Sequence, residues 1–171
     1  MTILSTSTTL TPSNGPSAPT ASTGLTGPSL LQTLRDLATD PGLPDLIQPD
    51  AVERRWVEVP LGPDLQAWLI SWPGGTSTGW HDHGAVAAGA FVTLSGRLTE
   101  YTWHSGPYAR TLGPGRDRGF PAGHIHDVRN LARTPALSLH VYTPRLTTMS
   151  RYRLEGGRLR LTSVEAEGGT W

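Results

Sequence analysis

The 171-residue chain contains no cysteine. Disulfides, zinc fingers, thiolate iron–sulfur ligation and a cysteine nucleophile are therefore excluded, and any metal site must use histidine, carboxylate or backbone oxygen. Lysine is absent too, so all 14 cationic side chains are arginine, balanced by 14 acidic ones. A formal charge of zero offers no electrostatic case for nucleic acid or an anionic membrane. No apolar run approaches the roughly 20 residues that span a bilayer. The first charged residue is Arg35, so the start lacks the cationic and apolar regions of an export signal. A soluble, cytoplasmic, monomeric protein of one domain is expected, long enough to bury a core without covalent staples.

Residues 1–28 are small, polar and interrupted by proline, with too little apolar content to offset their ordering entropy, so this stretch reads as a flexible segment ahead of a single domain over 29–171. "SLLQTLRDLATD" then offers Ser29 as N-cap, Gln32 three residues on, and Leu30, Leu34 and Leu37 on one face. Pro41 and Gly42 stop this helix, and "PDLIQPDAVE" can form another helical turn. From Trp56 onward the texture changes. "WVEV", "LQAWLISW", "GAFVTLSG", "RLTEYTW", "ALSLHVYT" and "SRYRLEG" read as strands, "PLGPD" and "EGGR" as tight turns, and "GPGRDRG" as a connection without a phosphate-loop signature. Many short strands without long helices between them predict an all-β sandwich or small barrel with a short N-terminal helical region.

Six histidines stand at positions 81, 83, 104, 124, 126 and 140. In a strand, residues at i and i+2 share a face, so His81 and His83 of "GWHDHG" can both point inward while Asp82 points out. Two such nitrogens can chelate one cation. A third ligand must come from elsewhere, and His124 and His126, also at i and i+2, compete for that place. Ser138, His140 and Tyr142 share one face of a later strand by the same rule. His140 alone could be a ligand or a core histidine, and Tyr142 a packing residue. Trp72 and Trp80 read as pocket walls or core, His104 as a turn residue, and Asp82 and Asp127 as solvent-facing or local hydrogen-bond partners.

Two separated motifs resemble those of the cupin superfamily, whose jelly-roll barrel this implies. "GTSTGWHDHGAVAAGAFVTLSG" supplies Gly75, His81, His83 and Gly96 of the first, without the glutamate common after the histidines, since Ala87 and Ala88 stand there. "GRDRGFPAGHIHDVRN" meets the second in full, from Gly115 through Pro121, Gly123 and His126 to Asn130. The resemblance selects His81, His83 and His126 as metal ligands and gives Asn130 a supporting role. Without the acidic ligand, about three positions of an octahedral ion stay open, which suits an anionic, chelating substrate.

More narrowly, "WHDHG", "LSGRLTE", "HDVRN" and "SLHVYTP" are similar to the cysteine dioxygenase family of thiol dioxygenases. That resemblance implies one mononuclear Fe(II), a small thiol amino acid and O2 as substrates, and oxidation of L-cysteine to cysteine sulfinic acid. It implies that Ser138, His140 and Tyr142 act beside the metal, with Ser138 orienting His140 and His140 holding the Tyr142 phenol. Arg55 matches the arginine that binds the substrate carboxylate, where relatives acting on 3-mercaptopropionate generally carry glutamine. Arg54 is adjacent; on a strand the two face opposite ways, so one alone can enter the barrel, and the resemblance favours Arg55. Gly89 stands about where animal members carry the cysteine that crosslinks to the tyrosine, so Tyr142 is expected as a free phenol. Other readings remain: a dioxygenase of another small thiol such as 3-mercaptopropionate, a cupin that only binds a metal or ligand, and a metal isomerase or lyase.

Overall fold

The computed structural model describes residues 27–48 and 52–167. The expected flexible segment, but for its last two residues, lies outside them. Helix α1 (Gly27–Leu37) begins two residues ahead of the expected cap. Pro28 therefore sits in the first turn, where a missing N–H costs nothing. Ser29 is inside the helix, its carbonyl accepting from the Thr33 hydroxyl at 3.0 Å. A short 3-10 turn over Leu43–Leu46 follows.

Eleven strands come next: β1 (Arg55–Val59), β2 (Gln66–Trp72), β3 (Trp80–Asp82), β4 (Ala88–Ser95), β5 (Leu98–Trp103), β6 (Pro107–Leu112), β7 (Asp117–Phe120), β8 (His126–Arg129), β9 (Ala136–Thr143), β10 (Thr148–Glu155) and β11 (Arg158–Ala166). They form two sheets, ordered β1-β2-β9-β4-β7 and β11-β10-β3-β8-β5-β6, with every pairing antiparallel. The six predicted strands are all present. β6 and β11 escape sequence reading because they are largely exposed edge strands without a buried alternating face. The reading of "GPGRDRG" as a connection holds for 113–116 only, since Asp117–Phe120 pairs with β4.

The central strands of the first sheet, β2, β9 and β4, are largely buried on both faces. The sheet's outer face meets α1: Leu30, Leu34, Ala67, Leu69, Ala90, Val92, Leu139 and Val141 form one core. Its inner face meets the second sheet through Trp72, Phe91, Leu98, Phe120, Val128 and Tyr142. β9 lies at the centre and every one of its residues is buried. Odd positions serve the helix-side core, while the even positions Ser138, His140 and Tyr142 are left for the interior between the sheets. Leu139 is fully buried against α1. Leu139→Ala should cost about 2–5 kcal/mol in urea unfolding, and a loss near zero would contradict this packing.

Candidate metal centre

His81 and His83 project to the same side around Asp82, and β3 aligns with β8 so that His81 stands directly opposite His126. The three side chains are buried, and their ligating nitrogens all lie within 4.8 Å of one another. Two turns hold this arrangement. Gly84 and Gly123 both take positive φ, at 76° and 70°, where a side chain would be strained, and the Gly123 N–H donates to the Gly84 carbonyl at 3.0 Å.

Hydrogen bonding fixes which nitrogen each ring offers. Nδ1 of His81 lies 2.9 Å from the Gly79 carbonyl, so it carries the proton and leaves Nε2 as a donor atom. Nδ1 of His126 lies 3.1 Å from the Glu100 carboxylate, with the same result. Nε2 of His126 and both nitrogens of His83 are buried without any hydrogen-bond partner. Burial pushes the basicity of all three imidazoles down, reinforced at His81 and His83 by repulsion from neighbouring imidazoles and opposed at His126 by the Glu100 carboxylate. Neutral, desolvated rings with orphaned lone pairs fit a metal ion. An ion there would recover the hydrogen-bonding free energy these nitrogens forfeit on burial.

Beside this cluster a polar chain crosses the β2–β9 wall. Trp72 Nε1 donates to Ser138 Oγ at 2.8 Å, and Ser138 Oγ lies 2.9 Å from His140 Nε2. An indole N–H can only donate, so Ser138 accepts from it, and the pairing that keeps the buried Ser138 proton bonded is donation to His140 Nε2. The His140 proton is then on Nδ1, which lies 3.4 Å from the Tyr142 oxygen. Tyr142 thus accepts from His140 and keeps its own proton for the cavity. Burial lowers the His140 pKa to about 3, and burial likewise raises that of Tyr142 above the usual phenol value. Both groups are neutral at ordinary pH.

The cavity that these residues line has a volume of about 260 Å3. Tryptophans 56, 68 and 72, with Ile70, Leu146 and Met149, make its apolar walls, and Arg54 and Arg151 supply cations. Alternation along β1 decides which arginine enters. Val57 and Val59 pack on the helix-side core, so Arg55 falls on that face and is exposed, whereas Arg54, Trp56 and Glu58 line the cavity. The expectation that Arg55 enters the barrel is corrected to Arg54. Its guanidinium carbon lies 5.2 Å from the ring centroid of Trp72 and 5.7 Å from that of Trp56, and its Nη1 is buried without a hydrogen-bond partner. Burial, and then repulsion from Arg151, lowers its pKa. Arg151 is held by Glu165 at 3.1 Å and by the Thr78 carbonyl at 3.2 Å.

Residues 46–155, more than half of the chain, match the family model described as cysteine dioxygenase type I. The chain belongs to that family. No curated protein matches it. Among solved structures it is similar to TT1209 from Thermus thermophilus, at 25% identity over 60% of this chain and 94% of that one, with a TM-score of 0.54. An uncharacterized protein with a double-stranded β-helix domain from Klebsiella pneumoniae aligns at 15% identity over 71% of this chain and 94% of its own, with a TM-score of 0.53. A cupin superfamily protein from Desulfitobacterium hafniense aligns at 16% identity over 59% of this chain and 86% of its own, with a TM-score of 0.51. The fold is that of a cupin, and the buried cluster of His81, His83 and His126 could hold a metal ion, in keeping with a metal-dependent dioxygenase family.

Within this cysteine dioxygenase family member, strand parity places the remaining residues expected from the sequence. Trp72 lines the cavity, whereas Trp80 faces away from His81 and His83 and packs edge-on against Trp103 at 5.7 Å. His104 sits exposed in the bend after β5. Asp82 and Asp127 are buried hydrogen-bond acceptors: Tyr152 reaches Asp82 at 2.5 Å, and Ser77 and Arg129 each reach Asp127 at 2.7 Å. Asn130 donates to the Trp72 and Thr134 carbonyls at 2.9 Å, tying the end of β2 to the loop after β8. His124 points to Glu100 rather than into the three-histidine cluster. Sequence reasoning selects neither Glu100 nor Arg54; the first sits unremarked in "LSGRLTE", and the second is one residue from the arginine that the resemblance favours.

Gly89 stands directly across from Tyr142 in the β4–β9 pairing. A Cβ there would strike the Phe120 ring and come within 2.9 Å of Tyr142 Cδ1. Gly89→Ala should therefore destabilise the fold by about 1–3 kcal/mol and lower turnover by displacing the phenol. Unchanged unfolding and turnover would contradict this contact.

Proposed function

We propose that this chain is a non-haem Fe(II)-dependent cysteine dioxygenase, converting L-cysteine and O2 to cysteine sulfinic acid. The observation that carries the reading is the convergence, on one cavity, of three clustered imidazoles, two of them with buried nitrogens that lack partners, a neutral phenol and an arginine with an unsatisfied N–H. His81, His83 and His126 would hold the metal. Fe(II) bound there would supply open positions for a thiolate and dioxygen and an electron that Zn2+ cannot give. In the overall reaction the thiol becomes a sulfinic acid: both oxygen atoms of O2 end on sulfur, which loses four electrons as O2 gains four.

The protein's own groups do the positioning. Arg54 offers the planar fork that a carboxylate accepts bidentately, and the apolar wall around it strengthens that pairing by excluding water. Held by Arg54, a cysteine would keep its sulfur near the three histidines. Tyr142 would donate its proton in a hydrogen bond to the reacting sulfur or oxygen, because His140 already occupies the phenol oxygen from behind. Ser138 and Trp72 keep His140 in the tautomer this requires.

The test is oxygen uptake by anaerobically iron-loaded protein on cysteine, 3-mercaptopropionate and cysteamine. Uptake should depend on a carboxylate. Arg54→Gln should raise the KM for cysteine roughly 30-fold or more, equivalent to about 2 kcal/mol of lost charged pairing, whereas Arg55→Gln should stay within about twofold of wild type. Uptake on no thiol would overturn the proposed activity, and equal effects of the two substitutions would overturn the role of Arg54.

A further inference from the structure

We propose that Glu100 is a positioning residue for the metal, acting through His126 and supplying from outside the coordination sphere the negative charge that Ala87 and Ala88 cannot supply within it. The inference rests on the three histidines being a metal centre. Glu100, on β5, is 1% exposed, and its carboxylate receives three hydrogen bonds: from His126 Nδ1 at 3.1 Å, from His124 Nε2 at 3.1 Å and from Arg118 Nε at 3.0 Å. Burial alone would raise its pKa, but the bonds from His124 and His126 outweigh this and hold the carboxyl well below its usual range.

Glu100, His124 and His126 could themselves be taken for a second cation site. The hydrogen-bond pattern argues against this. Each of their facing nitrogens already has the carboxylate as its partner, and the Arg118 guanidinium bonded to the other carboxylate oxygen would repel a cation. The orphaned atom of this group is His126 Nε2, on the opposite edge of the ring from Glu100. Glu100 therefore acts on His126 from behind. It fixes the Nδ1–H tautomer, aims Nε2 at His81 and His83, and makes that nitrogen a better donor. His124, stacked on Phe120 at 5.1 Å, and Arg118 hold the carboxylate in place. A glutamate bound directly would consume one coordination position; a carboxylate one imidazole away offsets part of a divalent charge while leaving that position open.

The experiment measures Fe(II) binding anaerobically to wild type and Glu100→Gln, together with 15N NMR of histidine-labelled, metal-free protein. Wild type should show His126 as a single Nδ1–H tautomer. Glu100→Gln, with an unfolding midpoint showing that it folds, should raise the Fe(II) dissociation constant about 10–100-fold, and Glu100→Asp should recover part of that loss. An Nε2–H tautomer for His126 in wild type would overturn the proposal even if the variant failed to fold. So would Glu100→Gln binding Fe(II) within about twofold of a wild type that binds it. A wild type that binds no Fe(II) would overturn the metal centre itself.

Discussion

β9 is packed on both faces, and the chemistry of the interior depends on that constraint. Its odd positions, Leu137, Leu139 and Val141, are held by α1 and neighbouring strands in a core that leaves no room for a register slip. A shift of one residue would send every side chain to the other face, placing Leu139 and Val141 in the cavity and burying His140 beneath the helix. The hydrophobic packing outside the barrel thus fixes the positions of Ser138, His140 and Tyr142 within it. The same alternation governs β1, where Val57 and Val59 on the helix side oblige Arg54 to face inward, and β3, where Trp80 and Asp82 facing outward oblige His81 and His83 to converge.

Convergence alone would be unfavourable. Buried imidazoles without partners forgo hydration, and their mutual repulsion disfavours protonation as an escape. The structure resolves each ring differently. His140 is satisfied on both sides by Ser138 and Tyr142, and it is neutral. His81 and His126 are satisfied on one edge and His83 on neither. The buried nitrogens without partners belong to His83 and His126, two of the three rings that cluster. An interior of this kind separates rings that serve as scaffolding from rings with lone pairs left for a cation.

Much of this was legible in the sequence because it depends on period two and on local turns. The i, i+2 spacing of His81 and His83, the face shared by Ser138, His140 and Tyr142, and the glycine before His126 all depend on positions close in the chain. The choice between Arg54 and Arg55 was not legible in that way. Arg55 opens edge strand β1 and Arg54 immediately precedes it, and parity there is set by which valines meet the helix-side core, a contact between segments far apart in sequence. Glu100 was missed for a related reason: a lone glutamate in a strand reads as a solvent-facing charge, and only the pairing of β5 with β8 brings it to His126. Edge strands β6 and β11 gave no pattern to read, because little of either is buried.

In the proposed reaction this cavity directs both atoms of dioxygen onto the sulfur of a carboxylate-anchored thiol. The most direct measurement is mass analysis of the product formed from L-cysteine under 18O2 by the iron-loaded protein. The product should be cysteine sulfinic acid carrying label in both sulfinate oxygens. Disulfide as the sole product, or sulfinate whose oxygen comes from water, would contradict it.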